Sequence, residues 1–279
     1  MTRVDSHVHF WRLSRGDYSW LTPAAGSLYR DFHPAEIASL IGACGIQSVV
    51  AVQAAASEAE TRYLFELARS HPFIAGVVGW VDFESADVAA RIGRLIADGH
   101  GCLKGLRPMV QDIADPDWLA RPQLDRAFEA LIEHDLVFDA LVTPRHVRLL
   151  TDRLQSHPTL RAVVDHGAKP DSRAASLATW RKEMEELAAT TAAFCKLSGL
   201  VTEGAEKPAG AELEGLMIFL LRTFGPERIC WGSDWPVLMT RAGYPEWFAA
   251  AFECVRRHAP GYEAAIFGDN AVRLYGLSV

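Results

Sequence analysis

The chain of 279 residues has only five cysteines, Cys44, Cys102, Cys195, Cys230 and Cys254, and none of them forms a C-x-x-C pair. That spacing excludes a disulfide-stapled scaffold and a zinc ribbon, and predicts a reduced, cytoplasmic protein. No uninterrupted apolar run reaches the length of a membrane span. Positive charge does not prevail either. Twenty-eight lysines and arginines stand against 35 aspartates and glutamates, a net charge of −7, which argues against nucleic acid or an anionic membrane as partner. No G-x-G-x-x-G turn follows an early strand, so an open dinucleotide-binding sheet would lack its phosphate loop. No low-complexity linker divides the chain, and the first residues enter a strand rather than a secretory leader. One soluble domain is expected.

What the sequence does contain is an alternation. Short apolar runs at 4–10, 47–54, 75–81, 102–108, 137–142, 162–166, 194–200 and 228–234 read as strands, with amphipathic stretches between them. Several, such as "SVVAVQ" and "AGVVGWV", are apolar on both faces, as parallel strands covered by helices must be. Ser57 with Glu60 three residues on predicts a capping box, and Thr143 followed by Pro144 predicts a helix start. Eight strand–helix units in this length predict a single-domain (β/α)8 TIM barrel. The connection from residue 11 to residue 33 carries Trp11, Tyr18, Trp20 and Tyr29. It reads either as an aromatic lid over the barrel mouth or as a surface loop pinned by its own rings.

In "VDSHVHF" His7 and His9 are two apart, so on a strand both imidazoles emerge on one face. Barrel chemistry sits where strands run out into their following loops. The polar residues at those ends are His7 and His9, Gln53, Trp80 with Asp82, Lys104 with Arg107, Asp139, Asp165 with His166, Lys196 with Ser198, and Ser233 with Asp234. Taken alone, His166 reads as an ordinary core histidine, the His7–His9 pair as either buried polar neighbours or half of a ligand set, and Asp234 in "GSDWP" as either a turn residue or a functional one. Together, histidines on strands one and six with an aspartate on strand eight form a ligand set of the type that holds a catalytic zinc with one open position. The remaining seven histidines, including His146, fall in or beside helices and are expected to be solvated.

The ordered segments "DSHVHFW", "VVAVQA", "GCLKGLRP", "VVDHGAKP", "KLSGL", "RICWGSDWPV" and "IFGDNAVRLYGL" resemble the amidohydrolase superfamily along the whole chain. The resemblance is nearest to the branch of sugar-acid lactonases that also holds pyrone-dicarboxylate lactonases. It implies His7, His9, Asp234 and His166 as the metal group, with one divalent ion, zinc, expected. Asp234 is implied as general base and then acid, and His166 as a ligand or carbonyl-polarising group. Lys104 and Arg107 are implied as the cations that meet substrate, with Gln53, Trp80, Asp139 and Trp235 around a polyol ring. Two departures from binuclear members, Asp139 in place of a strand-five histidine and Lys104 running into G-L-R, argue against a second metal. The implied substrate is a small sugar-acid lactone, L-fucono-1,5-lactone or a similar six-carbon aldonolactone first. A non-oxidative decarboxylase of aromatic or muconate-type acids, with Arg107 as carboxylate clamp, is the second reading. A silent sugar-acid-binding protein is the third.

Overall fold

The computed structural model describes residues 2–170, 175–202 and 210–279. Eight parallel strands follow one another in chain order: β1 (Val4–Val8), β2 (Ser48–Val52), β3 (Ile74–Gly79), β4 (Leu103–Leu106), β5 (Val137–Ala140), β6 (Ala162–Val164), β7 (Phe194–Leu197) and β8 (Ile229–Trp231). The first and last meet just past β8. There the Asp234 N–H donates to the His7 carbonyl at 2.9 Å, and the His9 N–H donates to the Trp235 carbonyl at 2.7 Å. The expected (β/α)8 barrel is therefore the observed fold. Each strand is shorter than the apolar run that signalled it, so Arg107, Asp165, His166 and Asp234 lie on the connections beyond the strands.

Eight helices follow the strands in turn: α1 (Pro34–Ala43), α2 (Glu58–Ser70), α3 (Val88–Gly99), α4 (Asp125–Glu133), α5 (Val147–Ser156), α6 (Leu177–Thr190), α7 (Gly210–Phe224) and α8 (Tyr244–His258). A further α-helix, α9 (Asn270–Tyr275), follows a π-helical turn at Ala265–Asp269. Val4, Val50, Val137 and Val163 form an apolar cluster with Ala271, Leu274, Tyr275 and Leu277, and Arg161, just before β6, donates to the Leu274 carbonyl at 3.0 Å. The terminal helix thus plugs the N-terminal end of the barrel and leaves the C-terminal end for chemistry. Among the described residues, no helix is long and apolar enough to cross a membrane.

The capping box predicted at Ser57 forms by half. Ser57 Oγ accepts from the Glu60 N–H at 3.0 Å, but the Glu60 carboxylate turns inward and accepts from the Ala54 and Ala55 N–H groups. Burial pushes this carboxyl up to about 8, with Asp17 adding to the rise while the two amides and Arg107 oppose it. A raised carboxyl favours the folded state most when protonated. Its contribution is complete below pH 4.5 and drains away as pH climbs through about 8. Glu60→Gln should therefore gain on the wild type as pH rises from 4.5 to 8, by roughly 3 kcal/mol at neutrality relative to acid. Urea melts of both proteins across that range test it; parallel stability curves would refute it.

Thr143 and Pro144 start a helix as expected, through one tight turn (Pro144–His146) leading into α5. His146, expected to be solvated, is buried: its Nδ1 accepts from the Thr143 N–H at 3.1 Å. The 11–33 connection contains two short turns, Leu13–Arg15 and Pro23–Leu28. Trp11 and Phe32 exchange backbone hydrogen bonds at 3.2 and 2.9 Å and close it into a loop over the mouth. Trp11 and Tyr18 are buried in it, while Trp20 reaches the mouth and donates from Nε1 to the Ala54 carbonyl at 2.7 Å.

Candidate active site

Alternation on β1 does what the sequence asked of it. His7 Nε2 and His9 Nε2 are 3.2 Å apart, and Asp234 Oδ1 lies 3.2 Å from His9 Nε2 and 3.8 Å from His7 Nε2. His166 Nε2 stands 3.9 Å from the same oxygen. Ligands at about 2.0–2.1 Å from a tetrahedral zinc lie roughly 3.3 Å from one another, so the donor set has the spacing and the chemistry of a single zinc site. His9 Nδ1 lies 2.8 Å from the Val52 carbonyl, an acceptor, which places the proton on Nδ1 and leaves Nε2 free to ligate. His166 Nδ1 contacts Ser198 Oγ at 2.9 Å.

Both late residues sit on strained backbone. His166 and Asp234 have φ of 54° and 61°, the left-handed region that non-glycine residues avoid at a cost of about 1 kcal/mol or more. Packing enforces this. A side chain at Gly199 would bring a Cβ to 2.5 Å from His166 Nδ1, so only glycine lets the ring lie across β7.

Beneath the histidines is a buried ionic layer. Lys196 Nζ meets Asp139 Oδ2 at 2.5 Å, Asp165 Oδ1 at 3.0 Å and His7 Nδ1 at 3.1 Å. Tyr275 from α9 donates to Asp139 Oδ2 at 2.8 Å. Arg107 Nη1 lies 3.3 Å from both His7 Nε2 and Asp165 Oδ2, and its Nη2 donates to the Gln53 carbonyl and side chain. Burial and the facing Lys196 hold His7 well below the ordinary histidine range against the pull of Asp165, which keeps the ring neutral, the form that binds metal. Burial pushes Asp234 up, but the facing imidazoles, His166 foremost, outweigh it and hold the carboxyl below its usual range. It is ionised at neutral pH.

His9, Arg107, His166 and Asp234 line a cavity of about 230 Å³, whose rim includes Trp20, Met109, Gln111, Asp112 and Lys169. The other expected contacts are elsewhere. Gln53 is buried behind Arg107 and orients it, donating from Nε2 to the Arg107 carbonyl at 3.0 Å. Asp139 belongs to the ionic layer under His7, fully shielded from the cavity. Trp235 is buried against Phe10 and Phe32, because the chain turns its ring down under the 11–33 loop. Trp80 lines a neighbouring cleft, not this cavity.

Lys104 needs correction. Gly105 stays in register with Val137 on β5, where a Cβ would come within 2.7 Å of the Val137 carbonyl oxygen, so it makes no turn toward the mouth. Lys104 instead donates from Nζ to the Gly276 carbonyl at 3.1 Å, capping the C-terminal end of α9 at the plugged end of the barrel. The additional mouth cation is Lys169. Lys104→Met should leave kcat/KM within about twofold of wild type and cost ~0.5–1 kcal/mol of stability; a tenfold kinetic loss would contradict this placement. Asp165 and Lys196 are strand-end polar residues to which the sequence assigns no task, and they form the heart of the ionic layer. A lysine inside an otherwise apolar buried strand was the available signal, since a buried ammonium requires carboxylate partners.

A (β/α)8 barrel with two histidines at the end of strand one, a histidine after strand six and an aspartate after strand eight is a barrel enzyme scaffold built round a histidine–carboxylate centre. The sequence profile of the amidohydrolase family matches residues 4–277, and the chain belongs to that family. It is 41% identical over 277 residues to an L-fucono-1,5-lactonase of Burkholderia ambifaria, covering 98% of this chain and 95% of that one. A second L-fucono-1,5-lactonase, from Burkholderia multivorans, is 36% identical, with 99% and 96% covered. A crystal structure of an amidohydrolase from Burkholderia multivorans with bound zinc superposes with a TM-score of 0.92 at 35% identity, covering both chains in full.

Proposed function

We propose that the protein hydrolyses a six-carbon sugar-acid lactone, with L-fucono-1,5-lactone as the reference substrate. The observation that supports this most is the Asp234 carboxyl set 3.2 Å from His9 and 3.9 Å from His166 in a small cavity that Arg107 also lines. The 41% identity to an L-fucono-1,5-lactonase over nearly the whole chain points to the substrate.

His7, His9 and Asp234 would hold one divalent ion, zinc, with His166 adjoining. Bound there, such an ion supplies Lewis-acid polarisation and lowers the pKa of a coordinated water. The protein's own groups do the rest. Asp234 takes the proton of the attacking water and returns it to the ring oxygen as the acyl C–O bond breaks, giving the open aldonate. Arg107, fixed by Gln53 and Asp165, presents its guanidinium to the developing oxyanion without reorganising. His166, anchored through Ser198, faces the same oxygen. Trp20 and the 11–33 loop act as a lid that excludes bulk water. Five free cysteines, four of them buried, accord with a reducing cytoplasm.

Acidification of a weakly buffered indicator solution containing L-fucono-1,5-lactone tests the reading, with one proton expected per ring opened. Release of CO2 from an aromatic acid, with lactones untouched, would replace it by the decarboxylase reading. Binding without turnover would reduce it to a carrier. Elemental analysis after gel filtration in zinc should find one ion per chain, and none in the His7→Ala/His9→Ala double variant. Two tightly held ions in the wild type would contradict the single-metal site.

A further inference from the structure

The catalytic cavity adjoins a larger cleft of about 510 Å³, with Trp20, Ala54, Met109 and Asp112 lining both. The cleft is built from the connections after β1, β2, β3 and β4, on the same face of the barrel. Its chemistry differs from the cavity's. The cavity is lined by Arg107 and Lys169 beside the carboxyls of Asp112 and Asp234, whereas no lysine or arginine lines the cleft among the described residues. The polar side chains there include the carboxylates of Asp17, Asp82, Glu84 and Asp112. Arg15 pairs with Asp17 at 2.7 Å and Arg121 with Glu84 at 2.5 Å, neither arginine belonging to the lining. These pairings keep two of the carboxylates charged and hold them as acceptors. Trp20 and Trp80 give the cleft two accessible aromatic surfaces, with Trp118 buried behind its floor.

Acceptor carboxylates over aromatic faces suit a ligand with many hydroxyl donors and apolar C–H faces. An anionic group on the substrate would meet no lysine or arginine in the lining among the described residues. A cavity of about 230 Å³ has room for roughly eight waters at about 30 Å³ each, the scale of one sugar ring. The cleft then offers at least as much room again. We propose that it is a subsite for a neutral sugar residue carried on the lactone, so that glycosyl-substituted aldonolactones are substrates. This rests on the lactone-opening reading. The reaction is unchanged: water adds its hydroxyl to the carbonyl carbon and its proton to the ring oxygen, and the glycosidic bond stays intact. Binding energy from the remote sugar lowers the barrier at the ester.

The test compares L-fucono-1,5-lactone with its derivatives bearing a β-glucosyl residue at O2, O3 or O4. At least one derivative should match or exceed the parent in kcat/KM. Ala56 is exposed on the cleft wall and outside the catalytic cavity. Ala56→Trp should therefore cut that derivative's kcat/KM ~10-fold while leaving the parent within about twofold. Glu84→Gln, which removes charge with little change of shape, should act in the same direction by about threefold. The subsite is overturned if the wild type opens the parent but handles all three derivatives at less than about a tenth of its rate, or if the variants affect parent and derivatives alike. A wild type inert to the parent itself would instead overturn the lactonase reading beneath it.

Discussion

Asp234→Asn is expected to lower kcat for lactone opening by ~10²–10⁴-fold. Asparagine keeps the outline of the side chain and an oxygen able to face His9, so the strained turn at φ 61° and the packing of the mouth persist. What disappears is the ability to accept a proton from water and return it to the ring oxygen. The field changes as well, since the carboxylate that His166, His9 and His7 stabilise together is gone. Steady-state rates at saturating lactone and neutral pH measure the loss, with zinc content and thermal melting checked on the same sample. Retention of more than about half the wild-type rate would remove Asp234 from proton transfer. A variant that had lost its zinc would be compared at saturating metal, which separates ligation from base catalysis.

The reach of the sequence can be judged from which residues it placed. His7, His9, His166 and Asp234 were legible because a strand has a period of two and a parallel barrel brings its strand ends to one rim; neither inference needs side-chain detail. The barrel was legible for the same reason, from eight apolar runs separated by helical patterns. Lys104 was not. Whether it reaches the mouth depends on where β4 ends and on the register of Gly105 against Val137, and boundaries are what periodicity fixes least. Trp235 failed differently. Its neighbours Phe10 and Phe32 come from segments more than 200 positions away in the chain, so nothing local marks it as core. Glu60 has the capping-box spacing, yet the Ala54 and Ala55 amides compete for its carboxylate and win. In each case a partner from another element decided the outcome.

Removal of Lys196 is the other large effect expected. Lys196→Met should destabilise the fold by about 3–5 kcal/mol, the cost of breaking a buried ion pair from one side. The lysine is wholly buried, and burial alone would depress its pKa. Asp139 and Asp165 outweigh that and hold it above the ordinary lysine value. Methionine fills a similar volume but leaves Asp139 with only the Tyr275 hydroxyl, while Asp165 keeps Arg107 at 3.3 Å. Asp139 is therefore the carboxylate stranded by the change. Adding Asp139→Asn to Lys196→Met should recover part of the loss, because the uncompensated charge goes with it. Denaturant unfolding of the two single variants and the double variant makes the comparison, with the coupling read from the cycle. A loss below about 1 kcal/mol for Lys196→Met would mean that water reaches the layer and screens it. The predicted pattern, a large single loss partly reversed by the second substitution, would identify the ionic layer as the support on which His7 is held neutral and aimed at the site.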